Sequence, residues 1–315
     1  MKYLLALLTF LSLSSIVNCQ NPPQREGFVN VEGGRIWYKR VGKGDGIPLL
    51  IIHGGPGSRS CNFIPGYSLL GDERPIIFYD QLGSGNSDRP SDTTLWQLPR
   101  FVDEIEKLRD ALDLKELHIL GHSWGAAVLI EYMLTKKPTV VKSVIFSGPY
   151  LSSPTWMNDA KILLSQLSIN LQDTINKYEI LKEYNSTSYL AATDSFYSRF
   201  LTIKQWPEVP SSECDSVLGF NEQVYNYMWG PTEFNISGTL KNFDRTNDLH
   251  EIKQPILFIA GCFDEVRPET IYKFQKLAKN SKVVIIENSG HFNIIDQPEQ
   301  VTNAIRNFLY SVELK

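Results

Sequence analysis

Apolar residues in this chain gather into two kinds of run that alternate with one another. Ile47–Ile52, Pro75–Tyr79, Leu117–Leu120, Val141–Phe146, Pro255–Ala260 and Val283–Ile286 are short and almost continuously apolar, the pattern of strands buried on both faces of a sheet. Between them, Phe101, Ile105, Leu108 and Leu112 share one face of a helical stretch. Ala126–Leu134, Pro268–Ala278 and Glu299–Tyr310 read as further helices. Ahead of all these, Phe28–Val31 and Arg35–Val41 look like half-buried strands, and Glu32-Gly33-Gly34 between them signals a hairpin. Strand–helix alternation of this kind predicts a mostly parallel sheet with helices on both faces, an α/β fold. The rhythm breaks after Gly148. From about Leu151 to Asp244 no buried strand is legible, and amphipathic stretches carry Trp156, Phe196, Tyr197, Trp206, Tyr225, Tyr227 and Trp229 instead. The expected organisation is therefore a core of residues 21–150 and 246–315, interrupted by a helical cap over 151–245.

Composition narrows the class of protein without choosing within it. With 42% hydrophobic and 21% charged residues over 315 positions, the chain can bury a full core. Its net charge of −4, with Lys and Arg scattered, argues against a nucleic-acid partner and is compatible with a cationic substrate. The first twenty residues stand apart. Lys2 precedes the apolar run Tyr3–Leu13, and small and polar residues follow, as in a signal peptide whose apolar stretch is too short to span a bilayer. Plain export is the leading expectation. A second reading takes Ile16-Val17-Asn18-Cys19 as a lipobox, which would make Cys19 a lipidated first residue and the anchor to a membrane. Cys61, Cys214 and Cys262 are isolated from one another, without the spacing of a zinc or redox site. An exported protein can form one disulfide among them, which leaves at least one thiol free or paired outside the chain; the sequence does not say which.

The chemistry begins at Gly121-His122-Ser123-Trp124-Gly125. Gly-x-Ser-x-Gly alone is common, but here it joins a buried strand to a helix, where a tight turn displays the serine hydroxyl as a nucleophile. A serine needs a base. His291, in the loop between the last strand and the last helix, is the histidine best placed to reach that edge of the sheet, because His53, His118, His122 and His250 belong to other motifs or connections. Asp264, just past the strand Pro255–Ala260, would orient His291, with Glu265 as its nearest rival. The order Ser123, Asp264, His291 is that of α/β hydrolases. His53-Gly54-Gly55-Pro56-Gly57 follows the strand Ile47–Ile52, and its glycines let main-chain N–H groups face a bound oxygen. The Gly55 and Trp124 N–H groups would then form an oxyanion hole. No metal or organic cofactor is implied.

Taken together, His53-Gly54-Gly55-Pro56-Gly57, the segment Tyr79–Ser87 (Tyr-Asp-Gln-Leu-Gly-Ser-Gly-Asn-Ser) and Gly121–Gly125 resemble the proline iminopeptidase family of serine aminopeptidases, which have the α/β-hydrolase fold. The stretch Met228–Leu240 resembles the branch containing the tricorn-interacting aminopeptidases. The resemblance runs from about Phe28 to the C-terminus and is weakest over Leu151–Ser212. It implies that Glu233 and Glu265 hold a substrate's free α-ammonium; by residue type alone they read as a loop acid and a helix N-terminal acid. Tyr225 and Trp229, nearest Glu233, would line a pocket for proline or another apolar side chain, although most aromatics of the insertion fit the core of a cap equally well. Cys262-Phe263 before the acid and Leu82 in place of a frequent Arg depart from the family pattern. The implied activity is release of one N-terminal residue from a short peptide or aminoacyl amide. An amino-acid amidase or a small-acyl esterase with the same triad is the alternative, and a non-catalytic binding protein on this scaffold is a third.

Overall fold

The structure, a computed structural model, describes residues 25–204 and 214–314. The leader, Cys19 and Trp206 lie outside the described residues. Eight strands form one sheet: β1 Glu26–Val31, β2 Gly34–Val41, β3 Leu49–Ile52, β4 Ile76–Tyr79, β5 Leu117–His122, β6 Val141–Ser147, β7 Ile256–Gly261 and β8 Ser281–Ile286. Their spatial order is β1-β2-β4-β3-β5-β6-β7-β8. β2 is antiparallel to both β1 and β4, and the remaining neighbours are parallel. The chain is thus an α/β protein with a mostly parallel sheet. The first two strands form the expected hairpin, paired out to Val31 and Gly34 across Glu32-Gly33.

Ten helices accompany the strands among the described residues: α1 Ile64–Tyr67, α2 Leu98–Ala111, α3 Trp124–Lys136, α4 Ser153–Leu164, α5 Ile169–Leu181, α6 Thr187–Phe200, α7 Glu222–Met228, α8 Pro268–Leu277, α9 Asn293–Asp296 and α10 Pro298–Glu313. Pro99, Pro268 and Pro298 sit in the first turns of α2, α8 and α10, where the missing N–H costs nothing. Alternate residues of each central strand feed opposite cores. Leu50, Ile52, Ile77, Tyr79 and Ile119 join Phe101, Ile105 and Leu129 on the face covered by α2, α3 and α8. Leu49, Ile51, Ile76, Phe78 and Leu120 join Tyr67, Ile305 and Leu309 under α1 and α10 on the other. Burial on both faces is why these strands read as continuous apolar runs.

Helices α4–α7 lie between β6 and β7 in sequence and add no strand to the sheet. The chain leaves and returns through a narrow neck, where Ser152 bridges Asp244, Ser153 N–H donates to Phe243 O and Arg245 N–H donates to Leu151 O at 2.8 and 2.9 Å. Leu163, Ile175, Tyr189, Phe196 and Phe200 of α4–α6 form a separate small core. Trp156, Val224, Met228 and Trp229 instead merge with the main core below.

Candidate active site

β5 runs directly into the elbow. Ser123 has φ 54° and ψ −121° and precedes the first turn of α3, a left-handed conformation that a non-glycine residue holds only under constraint from its surroundings. Its N–H donates to Ser147 O at 3.0 Å. A Cβ on Gly121 would come within 2.4 Å of Gly125 O, and one on Gly125 within 2.3 Å of Ile52 O. Close approach of main chain therefore explains both flanking glycines, and Ser123 is left half-buried at the sheet edge.

Asp264, fully buried, follows β7 and is held by three donors. Its carboxylate accepts from the Gly261 and Val266 N–H groups, each at 3.1 Å, and from His291 Nδ1 at 2.7 Å. Asp264 is thus the acid on Nδ1, and Nε2 is the ring nitrogen left for another partner. Glu265, the rival for that role, lies on the other side of the ring, with Oε2 4.0 Å from Nε2. Burial disfavours charge on His291, but the charge and hydrogen bond of Asp264, with Glu265 and Glu233 behind them, outweigh it and raise the imidazole to about 9.

The loop carrying His291 is mounted on the cap. His291 N–H donates to Phe200 O at 2.8 Å and Phe292 N–H to Leu201 O at 2.7 Å, so both lean on the C-terminal end of α6. Asp296 joins the same two pieces, accepting from Gly290 N–H at 2.8 Å and from the Thr202 hydroxyl at 2.6 Å. Beneath the imidazole lies Gly148 (φ +52°), the residue after β6, where a Cβ would stand 2.8 Å from His291 Nδ1 and 3.3 Å from Asp264 Oδ2. The Ser147–Gly148 corner therefore touches Ser123 on one side and the His291–Asp264 pair on the other. Sequence reasoning singled out neither Gly148 nor Asp296. The sole trace of the former is a glycine at the end of a strand.

The two further carboxylates are near His291 as well. Tyr225, on α7, donates its hydroxyl to Glu233. Burial pushes Glu265 up to about 8, helped by the charge of Glu233 and opposed by His291. Burial also raises Glu233, against the Tyr225 hydrogen bond and the attraction of His291. Tyr197 and Tyr225 have raised phenols because they are buried beside both carboxyls. Trp229 stands behind Tyr225, with ring centroids 6.1 Å apart and planes within 24°. It is 2% exposed, packs on Tyr150 and Trp156, and donates its indole N–H to Thr232 O. It belongs to the core and braces Tyr225 from the rear.

The glycine loop after β3 lies against the elbow, since a Cβ on Gly54 would be 3.1 Å from Ser123 Cβ. Among the described residues, neither the Gly55 nor the Trp124 N–H is used in a turn or cap hydrogen bond. Leu82 is buried in the main core, and Phe263 is 45% exposed beside the half-buried free thiol of Cys262. The disulfide joins Cys61 to Cys214, tying the segment after the glycine loop to the stretch leading into α7. Asn221 adds to that seam through its N–H to Gly57 O at 2.9 Å and its amide to Gly83 O at 2.8 Å. Among the described residues no three His, Cys, Asp or Glu side chains are grouped to hold a metal ion.

A nucleophile elbow on a mostly parallel sheet, with an aspartate–histidine pair beside it, defines an α/β hydrolase. Residues 47–298 match the alpha/beta hydrolase fold family, and the chain belongs to it. Its relatives narrow the assignment. The chain is 45% identical over 289 residues to a proline iminopeptidase of Heyndrickxia coagulans, covering 91% of this chain and 99% of that one. It is 34% identical over 291 residues to one from Saccharolobus solfataricus, covering 91% and 93%. The crystal structure of proline iminopeptidase from Mycobacterium smegmatis superposes with a TM-score of 0.82 at 26% identity, over 92% of this chain and 99% of that chain. The protein is a member of the proline iminopeptidase family, a hydrolase of the aminopeptidase class.

Proposed function

We propose that this enzyme releases an N-terminal residue, proline or another apolar one, from short peptides through an acyl-enzyme on Ser123. Ser123 Oγ attacks the first peptide carbonyl while His291 Nε2 takes its proton and Asp264 holds the imidazolium. The Gly55 and Trp124 N–H groups receive the carbonyl oxygen as it becomes an oxyanion. When the C–N bond breaks, the proton on His291 passes to the leaving amine. Water, deprotonated by His291, then cleaves the ester and frees the amino acid.

One observation carries the aminopeptidase reading: Glu265 lies 4.0 Å from His291 Nε2, and Glu233 is near enough for its charge to act on both. Two neighbouring carboxyls, one buried and one half-buried, repel, and an α-ammonium between them relieves both the repulsion and the desolvation. Fixing the ammonium there sets the scissile bond one residue from the amino terminus. The test compares prolyl p-nitroanilide with its N-acetyl form. The free amine should be favoured by at least about 100-fold in kcat/KM, since each charge-assisted hydrogen bond is worth about 1.5–3 kcal/mol. Equal turnover of the two would remove the clamp and leave the amidase or esterase reading.

Export is part of the proposal. The leader over residues 1–20 supports it, and a disulfide between Cys61 and Cys214 suits an oxidising compartment. Mass spectrometry of the mature amino terminus checks it, and a diacylglyceryl group on Cys19 would be the mark of a lipid anchor.

A further inference from the structure

The two glycine-bearing loops, His53–Gly57 and Asp80–Gly85, are physically one device. β3 and β4 are parallel neighbours with Ile52 opposite Tyr79, so the loops leave the sheet side by side. Asp80 ties the chain just beyond the first loop to the end of the second: its carboxylate accepts from the Ser60 N–H at 2.7 Å and hydroxyl at 2.8 Å, and from the Asn86 N–H at 2.8 Å. Gln81 grips the near end of the first loop. Its main-chain N–H donates to His53 Nε2 at 3.1 Å, and its side-chain amide donates to His53 O at 2.9 Å. Its Oε1 accepts the Trp124 indole N–H at 2.8 Å. His53, Gln81 and Trp124 are all fully buried.

These contacts fix the tautomer of His53. A main-chain N–H can only donate, so Nε2 is the acceptor and the ring proton resides on Nδ1. Nδ1 lies 2.7 Å from Gly54 O and donates to it. That carbonyl shares a planar trans peptide with the Gly55 N–H, which must therefore point the opposite way, off the ring. Burial keeps His53 neutral, against the pull of Asp80, so the ring retains its acceptor. Leu82 N–H donates to Glu104 at 3.1 Å, and Glu104 is paired with Arg100 at 2.5 Å, so α2 bolts the second loop in place.

We propose that Gln81 and His53 are positioning residues that set the direction and spacing of the two oxyanion-hole donors, Gly55 N–H through the Gly54 carbonyl and Trp124 N–H through its indole. The proposal rests on the reading that these two N–H groups hold the oxyanion. Position 81 needs one donor and one acceptor at the end of a three-carbon reach. Glutamine supplies both, glutamate lacks the donor, and methionine lacks both at similar volume.

The test uses the variants Q81M and W124F, with active sites counted by end-point fluorophosphonate labelling. Each is assayed for kcat and KM on prolyl p-nitroanilide, and for affinity towards the boronic-acid analogue of proline and towards proline itself. The boronate forms a tetrahedral adduct on Ser123 whose oxygen draws on the hole as the transition state does; proline forms no such adduct. Removing an oxyanion donor outright costs about 100- to 1,000-fold in kcat, so misdirecting the donors should cost Q81M about 10- to 100-fold. KM should stay within about threefold, and boronate affinity should fall in proportion to kcat while proline affinity holds. W124F breaks one arm of the bridge and should lose less, and the double variant should lose less than the product of the two. If Q81M does not fold, W124F decides by the same comparison. Wild-type kcat and boronate affinity in a titrated, folded variant overturn the proposal, as does equal loss of boronate and proline affinity. Absence of Ser123-dependent turnover in the wild type is a different failure, that of the functional reading beneath it.

Discussion

Replacing Gly148 with alanine should disable the enzyme while leaving it folded, and the geometry says by how much. The new Cβ would stand 2.8 Å from His291 Nδ1 and 2.9 Å from Cε1, about 0.6 Å inside the 3.4 Å at which ordinary contact begins. The imidazole must retreat by roughly that distance, and because the crowded atom is the same Nδ1 that bonds Asp264 at 2.7 Å, that hydrogen bond is weakened. Misplacing a reacting group by about 1 Å can cost about 100-fold, so a kcat loss of about 30- to 100-fold is expected for G148A on prolyl p-nitroanilide. The left-handed φ of +52° adds a backbone penalty of about 1–2 kcal/mol for any residue with a Cβ, visible as a lowered Tm. A second readout separates catalysis from stability. The Asp264 charge and hydrogen bond hold the imidazole at about 9. Because His291 must be neutral to act as a base, wild-type kcat/KM should fall as pH drops below about 9. Weakening that bond lowers the His291 pKa, so the acidic limb of G148A should move to lower pH even as the maximum falls. A G148A enzyme with kcat within twofold of wild type and an unmoved limb would refute the reasoning.

Three further outcomes follow from the site. The double variant E233Q/E265Q should lose at least about 100-fold in kcat/KM on prolyl p-nitroanilide, yet hydrolyse p-nitrophenyl acetate with an acidic limb shifted to lower pH, because two charges that raise His291 are gone; an unshifted limb would contradict their placement. Asp296→Asn removes the carboxylate that joins Gly290 to Thr202, and should lower stability by about 1–3 kcal/mol in chemical denaturation and lower kcat together. Breaking Cys61–Cys214, which closes a separation of 153 residues, should cost about 2–4 kcal/mol. The drop in Tm on adding reductant measures it, and should be absent in C61S/C214S.

Much of this was legible in the sequence because the central strands are buried on both faces. Leu49–Ile52, Ile76–Tyr79 and Ile256–Gly261 have no polar face to blur the pattern, and each expected strand is present within a few residues. Helix α2 begins three residues earlier than its apolar spacing suggests, since Pro99 supplies the first turn without adding to the stripe. The four-residue helices α1 and α9 are too short for any period to register. At the site, Ser123, Asp264 and His291 stood out because each follows a strand in a recognisable turn. Glu233 drew notice through the family resemblance, since a lone loop glutamate carries no local pattern, and Glu265, first a rival to Asp264, took its ammonium role from the same source. Gly148 and Asp296 were invisible for a related reason. What they do depends on partners far along the chain, such as Thr202, 94 residues before Asp296, and no local window holds both ends of such a contact.

The mount of His291 on the end of α6 bears on how this fold can be recombined. The neck at Leu151–Ser153 and Phe243–Arg245 looks like a clean seam for exchanging the inserted helices between relatives. Yet Phe200, Leu201 and Thr202 are supports of the histidine loop, and Cys214 is bonded to Cys61 in the core. A chimera cut at the neck would give the recipient's equivalent of His291 a foreign bracket. Functional grafts should therefore carry residues 289–296 along with the insertion, and the two segments should diversify as a single heritable unit despite the sheet strands that separate them in sequence.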